Sequence, residues 1–286
     1  MIPRHLLDEV VRRALDEDLA GGDVTTDSVV PPDAAAVGRA IAKSPLVACG
    51  GDVFARAFYA IDPGVRVERL VDEGTRVDAG TELWRVEGSA RSLLLAERTA
   101  LNFAQRLSGI ASLTRRFVDA LPPGARTRVA DTRKTTPGLR ALERYAVRMG
   151  GGHNHRDSLG SAVMIKDNHI AAAGGIEPAV ERARSRAPHT SRIEVEVTDL
   201  EQLDEALRLG VEIIMLDNFD DARTAEAVQR MRAITNRIIE TRIAEGQAQA
   251  QIRGDIDGAQ LRLVVTAAIG GLLAAWLADS RTDTLA

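Results

Sequence analysis

The hydrophobic positions in the first part of the chain recur with a helical period in some segments and with a strand period in others. At the N-terminus they recur on one face of a helix, and further on they alternate with polar residues, as in antiparallel strands. The predicted elements are, in chain order, a helix over 2–19, strands within 36–48 and 65–87, a helix over 92–107 ending before Gly109, and a helix over 112–121 ending at Pro122. Residues 1–112 are therefore predicted to form an α+β domain.

The pattern then changes to short hydrophobic strands that each end in a polar loop. Four such segments are predicted, with helices between them, and this alternation favours a parallel α/β sheet or barrel. The segments are 128–133, 162–168, 193–197 and 213–218, and the helices are 137–148, 175–187, 199–209 and 221–233. Four strands do not close an eight-stranded barrel, so 113–233 is predicted to be an incomplete one. In this architecture the loops after the strands build the active site.

From about Thr235 the alternation of strands and helices stops. Helices are predicted over 234–251 and 258–278, joined by a glycine- and aspartate-rich connector. The apolar stretch Leu263–Ala278 has 16 residues, fewer than the roughly 20 that a membrane span needs. It is interpreted as a buried or dimer-interface helix, and 234–286 as a separate helical tail.

Composition and charge narrow the possible classes of function. The chain has 286 residues, a net charge of −4 and 3% aromatic residues, which does not favour a nucleic-acid partner. Its single cysteine, Cys49, cannot form an internal disulfide and suits a reducing compartment. The N-terminal helix carries acidic residues throughout and lacks the apolar core of a signal peptide. We expect a cytoplasmic protein without a membrane partner.

One region departs from this acidic average, because residues 131–167 contain seven Lys or Arg against four Asp or Glu. Some of these cations follow predicted strands or a glycine-rich loop, where they can converge on one mouth and bind carboxylates or phosphates. These are Arg133, Lys134, Arg156 and Lys166. Others line one helix face and are equally well explained as a solvated stripe. These are Arg140, Arg144 and Arg148. His153 and His155 lack the further His or Cys of a zinc site, and are interpreted as anion donors or as ordinary loop hydrogen bonds.

Acidic residues occupy unusual positions in the later strands. Glu194 and Glu196 lie on one face of an otherwise apolar strand, and Asp217 follows the next strand directly. Such oxygen ligands could hold Mg²⁺ against a diphosphate or accept ribose hydroxyls. The alternative is an internal ion pair with Lys134 or Lys166. Because no Walker, Rossmann or nucleophile-elbow motif occurs, a polyanionic substrate with a metal-bound phosphate is favoured over hydride or acyl transfer.

Taken together, several motifs resemble those of the quinolinate phosphoribosyltransferases. They are LDEDLAGGDVTT (15–26), LLLAERTALNFAQRLSGIA (93–111), DTRKTTPGLR (131–140), GGGHNHR (150–156), MIKDNHI (164–170), EVEV (194–197) and MLDNF (215–219). The resemblance covers about residues 5–233. It implies an N-terminal α/β sandwich domain, an incomplete α/β barrel and a homodimer. It also implies conversion of quinolinate and phosphoribosyl pyrophosphate into nicotinate mononucleotide, pyrophosphate and CO₂ with Mg²⁺, in NAD biosynthesis.

The resemblance also implies roles for individual residues. The carboxylates of quinolinate and the substrate phosphates would be held by basic side chains and a neighbouring hydroxyl, with one arginine reaching into the neighbouring subunit's site. The implied binding residues are Thr132, Arg133, His155 and Arg156, and Arg98 is the arginine that reaches across. The implied catalytic residues are Lys134, Lys166, Glu196 and Asp217, the last two on the ribose hydroxyls and on Mg²⁺ through pyrophosphate.

The C-terminus departs from the family pattern. The family continues after MLDNF with a Glu-Ser-Ser/Gly-Gly loop and a later Val-Gly-x-Leu-Thr-His-Ser loop, which bind the ribosyl phosphate, and this sequence has neither. Its tail resembles instead the C-terminal helices of TetR-type repressors, without their helix-turn-helix. We therefore expect quinolinate binding with poor turnover. The alternatives are a non-catalytic dicarboxylate-binding protein and the molybdenum-transport accessory protein of the same fold, although complete DTRKT and HNHR motifs favour quinolinate over the latter.

Overall fold

The computed structural model describes residues 2–264, without the side chain of Thr235, and divides into two compact units, 1–158 and 159–286. Each unit has its own hydrophobic core. The predicted domain boundary after residue 112 differs from this division, because the helix at 140–149 buries Leu142, Tyr145 and Ala146 in the core of the first unit. The predicted limits 1–112, 113–233 and 234–286 remain a prediction.

The first unit combines helices with two small antiparallel sheets. Its elements are α1 (Arg4–Asp18), α2 (Val24–Val29), β1 (Ala35–Ile41), β2 (Leu46–Val47), α3 (Gly51–Ile61), β3 (Arg66–Arg69), β4 (Arg76–Val77), β5 (Glu82–Ser89), α4 (Ala90–Asp119) and α5 (Arg140–Met149). One sheet has the order β1-β5-β3, and the other pairs β2 with β4. The helices α3 and α4 pack on each other, and Phe54 of α3 stacks on Trp84 of β5 with ring centroids 4.8 Å apart. This is the mixed helix and strand content expected of the N-terminal sandwich.

Helix α4 corrects the prediction of two helices in this region. It runs unbroken from Ala90 to Asp119 and passes through Gly109, which was expected to lie beyond a helix end. A glycine inside a helix costs about 1 kcal/mol relative to alanine. The buried residues on both sides of it, Leu107 and Ala111, gain more than that by packing into the core, so tertiary burial overrides the local preference.

The second unit is built on a parallel sheet. Its elements are β6 (Val163–Ile165), α6 (Asp167–Ala173), α7 (Ile176–Arg186), β7 (Ile193–Val197), α8 (Leu200–Leu209), β8 (Ile213–Leu216) and α9 (Asp221–Ala248). The sheet order is β6-β7-β8, so β7 is central and its residues Val195 and Val197 are fully buried. Helix α6, which starts directly after β6, was not predicted. Within residues 2–264 this parallel sheet has three strands, one fewer than predicted and too few to close an eight-stranded barrel.

The first of the four predicted strand segments is wrong as a strand. Residues 128–133 form only an isolated parallel bridge between Ala130 and His153. The amide of His153 donates to Val129 O at 2.8 Å and the amide of Asp131 donates to His153 O at 2.9 Å. The chain then turns away to form a loop, so the pairing does not extend into a ladder of strand hydrogen bonds.

The tail is partly described. Helix α9 continues through Thr235, where a break between helices was predicted, and residues 258–264 are helical after the expected connector. The remainder of the predicted helix over 258–278 lies outside the described residues, as does most of the apolar stretch Leu263–Ala278. Among residues 2–264, no helix combines the length and apolar character needed to cross a bilayer.

Candidate active site

The motif DTRKTT forms a tight loop, residues 131–136, here called the first basic segment. Thr132 Oγ1 accepts a hydrogen bond from the amide of Lys134 at 3.0 Å, and the amide of Thr135 donates to the Arg133 carbonyl at 2.9 Å. Lys134 is exposed. The Nε atom of Arg133 is buried and has no hydrogen-bond partner among the described residues. A desolvated donor of this kind is costly unless an acceptor reaches it, which fits an anionic ligand.

Residues 153–156, the second basic segment, are tied to the first by one carboxylate. Asp131 accepts hydrogen bonds from the amide of His155 at 2.7 Å and from Asn154 Nδ2 at 2.5 Å. Arg144 Nε on α5 donates to the same carboxylate at 2.9 Å, and Arg144 Nη2 also donates to the His155 carbonyl. The side chains of Asp131 and Arg144 are 5% and 9% exposed. The motif side chains of the two segments, among them His155 and Arg156, are thereby carried on loops held side by side.

The solvated-stripe interpretation of α5 is wrong for Arg144 and incomplete for its neighbours on the same face. Arg140 Nε donates to Thr135 Oγ1 at 3.1 Å, and its Nη1 donates to the Asp157 carbonyl at the same distance. Arg148 donates to Asn154 Oδ1 and lies 5.5 Å from the centroid of the Tyr145 ring. This face of α5 therefore holds the two basic segments.

The far end of the first basic segment is held by an acid. Glu143 accepts hydrogen bonds from Arg106 Nε at 2.9 Å and from the amide of Thr136 at 3.2 Å. Burial raises the pKa of the Glu143 carboxyl, but the hydrogen bonds from Arg106 and Thr136 outweigh it and leave the pKa below its ordinary value.

Sequence reasoning missed the supporting residues Asp131, Glu143, Arg144 and Arg106. Periodicity gave no signal for Glu143 and Arg144, because they lie beside the apolar face formed by Leu142, Tyr145 and Ala146 rather than on it. Charged residues in such positions are buried only when they are paired.

In the second unit, the sheet register brings two predicted catalytic residues together. Ile165 of β6 pairs with Val195 of β7, so Lys166 and Glu196, each one residue further on, lie side by side on one face. Lys166 Nζ lies 2.5 Å from Glu196 Oε2, and the two side chains are 38% and 12% exposed. The ion pair considered for Glu196 is thus formed with Lys166. The amide of Lys166 donates to Nδ1 of His169, which fixes the start of α6.

Asp217 follows β8 at the same edge of the sheet. Its amide donates to the Val197 carbonyl at 2.9 Å, and its carboxylate accepts from Asn218 Nδ2 at 2.8 Å. Glu196 pairs with Met215, and Asp217 is two residues after Met215. Asp217 therefore lies on the same face of the sheet as Glu196 and nearer the carboxyl ends of the strands. Asn218 has a φ of 56°, a left-handed conformation that asparagine tolerates, and the chain turns there. Glu194, one step further inside, is buried.

Arg98 lies on the exposed side of α4. The helix buries Leu93, Ala96 and Ala100 on its other side, so the arginine does not contribute to the core. The convergence of the basic segments with Lys166, Glu196 and Asp217 in one cleft remains a prediction.

Comparison with known proteins decides between the families considered. The model of the N-terminal domain of quinolinate phosphoribosyl transferase matches residues 23–108, and the model of its C-terminal domain matches residues 110–252. The chain belongs to the quinolinate phosphoribosyltransferase family. The match of the C-terminal model extends past residue 233, where the resemblance was expected to end. The likeness of the tail to TetR-type helices remains a prediction.

Individual relatives agree with the quinolinate phosphoribosyltransferase family. The chain is 46% identical to the nicotinate-nucleotide pyrophosphorylase [carboxylating] of Mycobacterium leprae, over 78% of each chain. It is 43% identical to a probable enzyme of the same name from Bacillus subtilis, over 71% of this chain and 69% of that one. Among solved structures, NadC from Streptococcus pyogenes is similar with a TM-score of 0.77 at 42% identity, covering 82% of both chains.

The oxygen donors at the sheet edge suit a hard cation. Among residues 2–264, no three His, Cys, Asp or Glu side chains gather into a metal-binding group. Glu196 and Asp217 supply two carboxylates on one face, and Mg²⁺ is commonly held by one or two carboxylates together with substrate phosphates. The donor set therefore fits a magnesium ion that arrives with a pyrophosphate group.

Proposed function

We propose that the chain transfers the phosphoribosyl group of phosphoribosyl pyrophosphate to quinolinate with loss of CO₂. The products are nicotinate mononucleotide and pyrophosphate, in NAD biosynthesis. The observation that carries this proposal is that the chain matches both domains of its family and keeps the motif cations, including an Arg133 whose Nε is buried and unpartnered among the described residues. The names of the relatives, carboxylating nicotinate-nucleotide pyrophosphorylase and decarboxylating quinolinate phosphoribosyltransferase, support it.

Quinolinate carries two adjacent carboxylates, which need cations at a fixed spacing. Arginine forks and imidazoles in the two basic segments supply donors of this kind. The proposed binding residues are Thr132, Arg133, His155 and Arg156. Lys166 adds a cation for a carboxylate or phosphate, and Lys134 lies on the basic floor of the site.

The ribosyl transfer requires stabilisation of charge rather than a protein nucleophile. As the bond to pyrophosphate breaks, positive charge grows at the ribose carbon and negative charge on the leaving group. Glu196 and Asp217 accept hydrogen bonds from the ribose hydroxyls, while Lys134 and Lys166 stabilise the negative charge of the leaving pyrophosphate and of the quinolinate carboxylates. The quinolinate nitrogen then bonds to the ribose carbon. Glu196 and Asp217 would hold Mg²⁺ through the pyrophosphate, and the metal would neutralise part of the charge of that leaving group.

Loss of CO₂ follows from the quaternised ring. Once the nitrogen carries the ribosyl group, its positive charge stabilises the electron pair that stays on the adjacent ring carbon when the carboxylate leaves as CO₂, and that carbon then takes up a proton from water. The side chains have only to hold the ring and the remaining carboxylate. This agrees with the lack of a nucleophile motif in the sequence.

The proposal includes a cytoplasmic homodimer in which Arg98 enters the partner's site. An exposed arginine on a helix that packs without it is available for that role.

Release of CO₂ from carboxyl-labelled quinolinate, in the presence of phosphoribosyl pyrophosphate and Mg²⁺, tests the function. We expect measurable release by the wild-type chain and loss of at least about tenfold in Arg133→Met, because each charge-assisted hydrogen bond contributes about 1.5–3 kcal/mol. Arg126→Met, which removes an exposed arginine from the same unit, is the matched control and should leave the rate unchanged. No release at any enzyme concentration would contradict catalysis.

A non-catalytic dicarboxylate-binding protein is the second candidate. The observation that favours it is the sequence after β8, which lacks both phosphate-binding loops of the family and forms the long helix α9. Tight binding of quinolinate without CO₂ release, even at high phosphoribosyl pyrophosphate concentration, would select this function.

A further inference from the structure

Two consecutive residues of α5 hold opposite ends of the first basic segment. Glu143 and Arg144 are 8% and 7% exposed, and each has its partner on that segment. Glu143 accepts from the amide of Thr136, and Arg144 donates to Asp131. The cations of the segment lie between these two attachments and are not used in either.

Asp131 makes a further connection that Glu143 does not. Its Oδ1 accepts from the amide of His155, and its Oδ2 accepts from both Asn154 Nδ2 and Arg144 Nε. All three donors come from outside its own segment. A carboxylate is the group that can satisfy them together, because both of its oxygens accept hydrogen bonds and neither donates.

Asp131 is also close in sequence to the two arginines whose separation it controls. Arg133 is two residues after Asp131, and Arg156 is one residue after His155, whose amide Asp131 binds. The backbone bridge between Ala130 and His153 joins the two basic segments at one point, and the 2.7 Å hydrogen bond from the His155 amide to Asp131 fixes their separation further along, next to the motif cations. Because Asp131 is almost fully buried, water does not substitute for it readily.

We infer that Asp131, locked by Arg144, is a positioning residue that sets the spacing between the two basic segments and thereby makes the site selective for a ligand with two adjacent carboxylates. This inference rests on the proposed function. A ligand with one carboxylate needs one cation and is insensitive to the spacing, whereas a pyridine with neighbouring carboxylates needs both segments in register.

The central experiment compares quinolinate with nicotinate, its monocarboxylate analogue, in binding titrations of the wild-type chain and Asp131→Asn. The asparagine keeps one accepting oxygen but turns an NH₂ group towards donors, so the attachment to the second segment is lost. We expect the ratio of quinolinate to nicotinate affinity to fall at least tenfold. Faster hydrogen exchange at the His155 amide should accompany the loss.

The matched control is Glu73→Gln. Glu73 is also a carboxylate of the first unit that accepts two backbone amides, those of Gly50 at 2.9 Å and Gly51 at 2.7 Å, but it touches neither basic segment. It should lose stability without changing the affinity ratio. A ratio unchanged in Asp131→Asn, or one that falls equally in Glu73→Gln, would overturn the inference.

A second variant tests the inference if Asp131→Asn does not fold. Arg144→Lys keeps the charge but cannot donate to both Asp131 and the His155 carbonyl, so a smaller fall in the ratio is expected. An unchanged ratio in a folded Arg144→Lys would also overturn the inference. Lack of quinolinate binding by the wild-type chain would overturn the proposed function, and the inference with it. Normal wild-type binding with an unchanged ratio in the variants would overturn the inference alone.

Discussion

The two units of the chain fix their charged residues in different ways. In the first unit, the motif cations lie on loops held by other charges, Asp131 and Glu143, which are buried and bonded to backbone amides. In the second unit, the motif residues Lys166 and Glu196 bond to each other, and their side chains are 38% and 12% exposed. Asp131 and Glu143 thus support the first basic segment without engaging the side chains of Arg133 and Lys134, whereas in the second unit Lys166 and Glu196 neutralise each other until a ligand separates them.

Arg98 shows a third arrangement, since it lies exposed on a helix that packs without it. We predict that Arg98→Ala lowers the rate of CO₂ release by about a hundredfold to a thousandfold, the usual cost of removing one group that stabilises charge in a transition state. The thermal unfolding midpoint should not change.

Arg116→Ala, an exposed arginine later on the same helix, is the control and should retain the rate. Normal turnover by Arg98→Ala, with unchanged assembly in sedimentation, would show that the arginine has no part in a partner's site.

The same comparison predicts unequal affinities for the two substrates. The proposed dicarboxylate-binding residues Arg133, His155 and Arg156 lie in the first unit, while the family's ribosyl-phosphate loops would follow β8, where this sequence has none. Losing two or three charge-assisted bonds, at about 1.5–3 kcal/mol each, should weaken phosphoribosyl pyrophosphate binding by about a hundredfold or more. Calorimetric titration with each substrate alone measures this, with the Mycobacterium leprae relative as reference. Equal phosphoribosyl pyrophosphate affinity in both proteins would contradict the prediction.

The sequence indicated candidate motif side chains but not the residues that support them, for a physical reason. Strand periodicity is a local property that places Lys166 and Glu196 at the ends of two strands of one parallel sheet, so their pairing could be anticipated as an alternative. The contact between Asp131 and the amide of His155 joins residues 24 positions apart through a loop, and no periodicity encodes it. The continuity of α4 through Gly109 depended likewise on burial against the rest of the first unit, which overrides local helix signals.

Breaking each kind of charge pair separately should sharpen the contrast between the units. Arg144→Met leaves Asp131 buried without its cation and should lower the free energy of unfolding by about 3–5 kcal/mol. Lys166→Met removes a lysine that is 38% exposed from a glutamate that is 12% exposed, so it should cost less than Arg144→Met, where both partners are below 10%. Urea unfolding of both variants measures the difference. Similar losses in the two would mean that burial does not distinguish the units.

The smallest effect concerns the pH dependence of the Glu143 attachment. Hydrogen bonds from Arg106 and Thr136 hold the pKa of Glu143 below its ordinary value despite burial, so the folded state favours the ionised form. A lowered folded-state pKa contributes stability above the unfolded pKa, about 4.5, and this contribution is lost as the pH falls through the folded value. The wild-type chain should therefore be more stable than Glu143→Gln at pH 7, and the difference should shrink below about pH 4.5.

Urea unfolding of both chains between pH 7 and pH 3 tests this, with Glu9→Gln, an exposed helix carboxylate in an i, i+4 pair, as control. A difference that stays constant, or grows, as the pH falls would show that the charge of Glu143 is not what holds the first basic segment to α5.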